Sequence, residues 1–168
     1  MNRVAVIAWP CESARQTSGH EKAHMEKSNQ LSEATKISIV DDDESMRVAI
    51  RTLLASFGMT VEEFASAEAF LNSDSGRSSD CLILDVRMPG LSGPELQRRL
   101  AAENKRIPII FITAYYTEEE RTRAMSGGAV AFLTKPFNED ELLNALAQSQ
   151  LKSLETYPVD NKFDRDLI

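Results

Sequence analysis

Cys81-Leu82-Ile83-Leu84-Asp85 is a run of four apolar residues closed by one acid. A strand with one face in water alternates apolar and polar residues. An unbroken apolar run is expected where helices cover both faces of a parallel sheet. The flanking sequence repeats this signal. Upstream, Ile37-Ser38-Ile39-Val40 is a short apolar strand that ends in acids. Downstream, Ile107 to Ile112 is apolar apart from its bounding positions and Pro108, and Ala129 to Leu133 forms a further strand. Thr60 to Phe64 reads as the second strand of the set.

Helical periodicity fills the intervals. After Val40, a helix of about 13 residues places Met46, Ile50, Leu53, Leu54 and Phe57 on one face, and Gly58 stops it. Ser66 caps a short helix carrying Ala69, Phe70 and Leu71. Pro94 lies in the first turn of a third helix with Leu96 and Leu100. Thr117-Glu118-Glu119-Glu120 is a capping-box pattern that opens the fourth, and Gly127-Gly128 ends it. Asn138 caps the fifth, whose stripe is Leu142, Leu143, Leu146, Leu151 and Leu154. Strands alternating with helices imply an α/β fold, a five-stranded, doubly wound parallel sheet with helices on both faces; one such strand order, the flavodoxin-like 2-1-3-4-5, is the one expected here. That order reverses between strands one and three, and ligands bind outside the carboxyl ends of the strands at such a switch point.

Bulk composition is consistent with this. The 168 residues are 42% hydrophobic with a net charge of −7, room for one domain with tails. The negative balance and the lack of a Lys/Arg cluster argue against direct binding of nucleic acid by this chain. Cys11 and Cys81 do not suggest a disulfide framework, and Cys81 reads as a small core residue. No apolar run reaches the roughly 20 residues that span a bilayer, and Met1 to Pro10 is too short for a signal peptide, so a soluble, cytoplasmic protein without membrane contact is expected. Residues 1–36 read as a polar N-terminal extension, disordered or loosely helical, with Met25 as a second plausible start. Residues 37–154 form the domain and 155–168 a short tail.

The strand ends carry the chemistry. Strand one ends in Asp41-Asp42-Asp43-Glu44, strand three in Asp85 and strand four in Thr113, while strand five runs into Lys135-Pro136. Singly, each has an ordinary reading: a solvated charge run, a turn-forming acid, a β-favouring threonine, a surface lysine. Together, on adjacent strand ends, they converge in one crevice. Crowded carboxylates raise each other's pKa unless a cation intervenes, and a hard, oxygen-preferring ion such as Mg²⁺ suits such a site.

The blocks Ile39-Val40-Asp41-Asp42-Asp43, Leu84-Asp85-Val86-Arg87-Met88-Pro89-Gly90, Phe111-Ile112-Thr113-Ala114 and Lys135-Pro136-Phe137 resemble, in order and spacing, the receiver domain of two-component response regulators. The Asp85-to-Gly90 and Phe132-to-Phe137 blocks are most similar to the subgroup whose longer members carry a helix-turn-helix output domain. The resemblance implies that Asp85 is the phosphoryl acceptor, a carboxylate nucleophile assisted by Thr113 and Lys135. It implies Mg²⁺ on Asp42, Asp85 and the backbone carbonyl of Arg87, with Asp41 acting mainly through water. Asp43 falls outside that set and is expected near the start of the first helix, where its charge suits the helix dipole. The switch would be Thr113 with Phe132, altering the face of helix four, strand five and helix five. The implied role is that of an acceptor that assists its own phosphorylation and dephosphorylation, not a separate enzyme. The implied partners are a sensor histidine kinase or phosphotransfer protein and a downstream effector protein; a phosphorylation-dependent homodimer stays open.

Two rivals are weaker. A haloacid-dehalogenase-type phosphatase can be read from Asp41-x-Asp43-x-Ser45 with Thr113 and Lys135, but its later acids and cap insertion are missing. A truncated DNA-binding transcriptional regulator is the alternative to a stand-alone receiver, which is the expectation because the residues after 154 are few and acidic. An FMN-binding flavodoxin-like protein would need a phosphate loop where this chain has acids. His20 and His24 lie outside the domain and are expected to play no part in transfer.

In the family, Arg87 and Tyr115 stand where side chains flank the path of a hydrolytic water. Both are bulky here, so a slow-decaying acyl phosphate is expected. Small residues at both positions should shorten the half-life of the phosphorylated chain in a decay assay; an unchanged half-life would end the idea.

Overall fold

The computed structural model describes residues 35–74 and 76–156. The N-terminal extension up to residue 34, with Cys11, His20, His24 and Met25, and the tail beyond residue 156 lie outside them. Five parallel strands form one sheet in the order β2-β1-β3-β4-β5: β1 Lys36–Val40, β2 Thr60–Phe64, β3 Cys81–Asp85, β4 Ile109–Thr113 and β5 Ala131–Thr134. The helices are α1 Glu44–Ser56, α2 Ala67–Leu71, α3 Gly93–Ala102, α4 Glu118–Ser126 and α5 Glu139–Thr156, with a 3₁₀ turn at Gly76–Ser78. The expected strand order and doubly wound class are those observed.

The apolar run of β3 is explained by its two coverings. Successive strand residues point to opposite faces. Cys81 and Ile83 join a core with Ile50 and Leu54 of α1 and Leu142 and Leu146 of α5. Leu82 and Leu84 face the other way, onto Phe70 of α2, Leu96 and Leu100 of α3 and Ala124 of α4. Every residue of β3 and β4 is buried, whereas the edge strand β2 exposes Thr60 and Glu63. Burial pushes the Cys81 thiol up to about 12, as suits a core position.

Several element ends differ from the sequence reading by a residue or two, each for a backbone reason. β1 starts at Lys36, which pairs with Thr60 and donates its amide to the Asp80 carboxylate at 2.8 Å. β4 starts at Ile109, not Ile107: Pro108 has no N–H to give, and only its carbonyl joins, accepting from Leu82 at 2.9 Å. β5 starts at Ala131, not Ala129, because the Ala129 amide still closes the end of α4 on Ala124 O at 3.1 Å, after Gly128 at φ +94°. Asn138 does cap α5, and reciprocally: its side chain accepts from Glu141 N at 2.9 Å while the Glu141 carboxylate accepts from Asn138 N at 2.8 Å.

The expected apolar stripe of α5 holds only in part. Leu142, Leu143 and Leu146 are buried, but Leu151 is 63% exposed, and the side chain of Leu154 lies outside the described residues. Five residues beyond Leu146 is about 140° around the helix, off the buried face; Ser149 occupies that face instead, its hydroxyl returned to Leu146 O at 2.7 Å. Leu146→Ala should therefore cost about 2–5 kcal/mol in urea unfolding, and Leu151→Ala no more than about 0.5 kcal/mol. Equal losses would show that Leu151 packs after all.

Candidate functional site

The carboxyl ends of the three inner strands, with Lys135 just beyond β5, bring the expected residues together. Asp41 follows β1 and is fully buried; its amide extends the ladder to Phe64 O at 3.2 Å. One of its carboxylate oxygens accepts from Asp43 N at 2.9 Å, and the other accepts from Lys135 Nζ at 2.6 Å. Asp42, next in the chain, is exposed. Asp43 turns away to cap α1, its side chain accepting from Ser45 N at 2.9 Å and Met46 N at 3.4 Å, which is the helix-start role the sequence suggested. The loop is pinned from the helix side: Arg47 donates to the Asp41 carbonyl at 2.7 Å. Sequence reasoning missed Arg47, which carries no motif signal beyond its place one turn into α1.

Asp85 closes β3. The amide after it, Val86 N, bonds Ile112 O at 3.0 Å, so the acid leaves the sheet at its last ladder rung. Gly93 N bonds Val86 O at 3.1 Å, and a Cβ on Gly93 would sit 2.3 Å from the Asp85 carbonyl oxygen. The first residue of α3 must thus be glycine for the helix to approach the acid's backbone. Gly93 too escaped the sequence reading, because a glycine just before Pro94 reads as a turn residue.

Lys135 reaches in from the far side. Its amide donates to Thr113 O at 2.7 Å, and the Lys135–Pro136 peptide is cis. Its ammonium lies 2.6 Å from Asp41 and 3.7 Å from Asp85, so the closer partner is the strand-one acid and not the expected acceptor. Thr113 is fully buried, and its hydroxyl is engaged with the Tyr115 backbone: it donates to the carbonyl at 3.1 Å and accepts from the amide at 3.2 Å. Phe132 is partly buried, with its ring 6.2 Å from that of Phe111 and 6.1 Å, edge-on, from that of Tyr116, whose hydroxyl donates to Glu118. The Arg87 side chain leaves the crevice. It lies over the Tyr115 ring at 5.3 Å and donates twice to Glu120, at 3.2 and 3.1 Å.

Oxygens of Asp41, Asp42 and Asp85 lie within 4.8 Å of one another. The Asp85 carboxyl is pushed up to about 6, first by burial; the Lys135 ammonium opposes this, Asp41 and Asp42 add to it, and the Arg87 backbone N–H counters in part. The test of fit is the donor set: three carboxylates, each with an oxygen within 4.8 Å of the others, offer hard anionic oxygen. Such a donor set fits a divalent cation of the Mg²⁺ type.

A family sequence profile described as the response regulator receiver domain matches residues 37–147. The response regulator protein TodT of Pseudomonas putida strain F1 is 46% identical over 113 residues, 67% of this chain and 50% of TodT. Nodulation protein W of Bradyrhizobium diazoefficiens is 49% identical over 108 residues, 64% of this chain and 48% of that protein. The chain thus spans about half the length of these curated relatives. Among solved structures, the crystal structure of FixJ-N superposes with a TM-score of 0.64 at 35% identity, covering 70% of this chain and 94% of that one. No helix among the described residues is long and apolar enough to cross a membrane.

The raised Asp85 pKa has a stability consequence in metal-free buffer. An acid whose folded pKa lies above its unfolded value destabilises the fold as pH rises from about 4 through about 6, and the cost is then constant. Asp85→Asn should raise the thermal midpoint in EDTA at pH 7 by a few degrees, on the order of 1–2 kcal/mol after allowance for solvent screening, with the gain shrinking to nothing below about pH 4. A gain that persists undiminished at low pH would assign the effect to something other than this charge.

Proposed function

Because the chain belongs to the response regulator receiver family, the phosphoryl-accepting signalling domains of two-component systems, we propose that Asp85 is its phosphoryl acceptor, within a receiver unit spanning residues 37–154. The observation that supports this most is electrostatic: a strand-end carboxylate set against two further acids, with the Lys135 ammonium 3.7 Å away. An Asp85 oxygen attacks phosphorus and the P–N bond of a phosphohistidine donor breaks. The acyl phosphate stays on Asp85, and the donor imidazole departs and takes up a proton. Phosphoryl transfer calls mainly for positioning and charge neutralisation, which is what these side chains offer.

Lys135, now held on Asp41, pairs with a phosphoryl oxygen once one is present. Thr113 gives its hydroxyl proton to another. Asp42, Asp85 and the Arg87 carbonyl would hold Mg²⁺, with Asp41 acting through water; when bound, the ion supplies positive charge against the phosphoryl oxygens. Movement of Thr113 would then be followed by Phe132, which has no hydroxyl and is held by packing alone. The resulting change falls on the face formed by α4, β5 and α5, and carries the signal to an effector protein. A sensor histidine kinase or phosphotransfer protein is the proposed donor, and the cytoplasm the proposed setting.

Asp41 is poorly placed to be a phosphatase nucleophile, because both its oxygens already accept hydrogen bonds. Incubation with acetyl phosphate and Mg²⁺, followed by mass spectrometry and borohydride mapping of the acyl phosphate, separates the two. One phosphoryl group on Asp85 is expected, abolished by Asp85→Asn or EDTA and slowed more than about tenfold by Lys135→Ala. Label on Asp41, or label surviving in Asp85→Asn, would overturn the assignment.

A further inference from the structure

A chain of contacts runs from Thr113 to the first turn of α4, and it uses residues outside the acid cluster. The Thr113 hydroxyl is committed to the Tyr115 backbone, donating to its carbonyl at 3.1 Å. The Tyr115 ring lies under the Arg87 guanidinium at 5.3 Å. Arg87 in turn donates through Nε and one terminal nitrogen to the same Glu120 oxygen, at 3.2 and 3.1 Å. The other Glu120 oxygen accepts from the Thr117 hydroxyl at 3.0 Å, and the Glu120 amide donates back to Thr117 at 3.2 Å. Glu120 is thereby tied to Thr117, the N-cap residue of α4.

A threonine hydroxyl has one proton to donate. It cannot serve the Tyr115 carbonyl and a phosphoryl oxygen together. Engaging the latter means giving up the Tyr115 carbonyl, which loosens the hold on the residue whose ring underlies Arg87, although the Tyr115 amide can still donate to the hydroxyl oxygen. Glu120 restrains that movement at the far end of the chain.

Resting on the reading of Asp85 as acceptor, we propose that Glu120 is a positioning residue: through Arg87 and Tyr115 it holds Thr113 off the acceptor carboxylate, a clamp that phosphorylation must loosen. The clamp is modest in strength. The ion pair is partly exposed, with side-chain accessibilities of 51% for Arg87 and 23% for Glu120, and such pairs contribute little individually. Its release therefore shifts a two-state equilibrium by a small factor, not by orders of magnitude.

Beryllofluoride, which stands in for a phosphoryl group on a carboxylate, tests this when titrated with Mg²⁺ into the full chain and three forms compared. Glu120→Gln removes the charge that holds Arg87 but keeps a side-chain oxygen able to accept from the Thr117 hydroxyl. Glu119→Gln removes the same charge from the same turn, where, among the described residues, Glu119 pairs along the helix with Arg123 at 2.6 Å. Glu120→Gln should bind beryllofluoride about threefold to fivefold more tightly than the parent, and Glu119→Gln no more tightly. Without any ligand, amide exchange over Glu118–Ser126 should also quicken in Glu120→Gln beyond that in Glu119→Gln. A merely structural Glu120 would leave the affinity unchanged or weaken it, and either result overturns the clamp. An equal gain in Glu119→Gln assigns the effect to charge alone and also overturns it. Failure of the parent chain to bind beryllofluoride would instead refute the phosphoryl-acceptor reading on which the clamp rests.

Discussion

Repulsion among three acids organises this end of the molecule. Asp41, Asp42 and Asp85 approach within 4.8 Å, and Asp41 is completely buried. Like charges at such range, two of them buried and Asp42 exposed, raise one another's pKa unless there is compensation. The Lys135 ammonium provides it unevenly, at 2.6 Å from Asp41 and 3.7 Å from Asp85. Asp41 is settled by that contact and by the Asp43 amide. Asp85 keeps the longer contact, and burial pushes its carboxyl up to about 6 despite the lysine. A raised carboxyl on the acid that closes the central strand sets this crevice apart from a surface ion-pair network.

The sheet enforces this crowding through backbone contacts more than side-chain ones. Asp41, Val86 and Lys135 each give their amide to the neighbouring strand, to Phe64, Ile112 and Thr113 respectively. The acids and the amine therefore leave the ladder at fixed register. Gly93 lets α3 close on the Asp85 carbonyl, and Arg47 ties the loop after β1 back to α1. Hydrogen bonds of this kind contribute modestly to net stability. Their importance here is positional, since a shift of one residue along a strand turns a side chain to the opposite face of the sheet.

The fold was legible because β3 and β4 are buried on both faces, and a short unbroken apolar strand suits that environment and not one with a face in water. The acids, Thr113 and Lys135 were legible as strand-end residues once the strand order was inferred. Less visible were features whose cause is three-dimensional. Leu151 looks like one more core leucine on its helix, yet the helix turns it outward. Gly93 matters because of where the Asp85 carbonyl lies, which no local pattern reveals. Glu120 was legible as a capping residue but not as the partner of Arg87, 33 positions earlier in the chain. The primary partner of Lys135 likewise depends on the distances between strand ends, beyond what spacing in sequence can resolve.

If Thr113 and Phe132 form the switch proposed for them, the contacts that hold them are weak enough to be exchanged without large forces. Each is held by few interactions. The threonine proton is given either to Tyr115 or to an incoming oxygen. The phenylalanine ring lies between Phe111 and Tyr116 with no polar anchor of its own. Aromatic contacts of this kind contribute about 0.5–1.5 kcal/mol beyond burial, comparable to a single hydrogen bond. On the proposed reading, a charge change on Asp85 would compete with these contacts, which meet through Tyr115 and Tyr116 in one loop. A more deeply anchored aromatic, or a threonine with further hydrogen-bond partners, would oppose such a rearrangement more strongly.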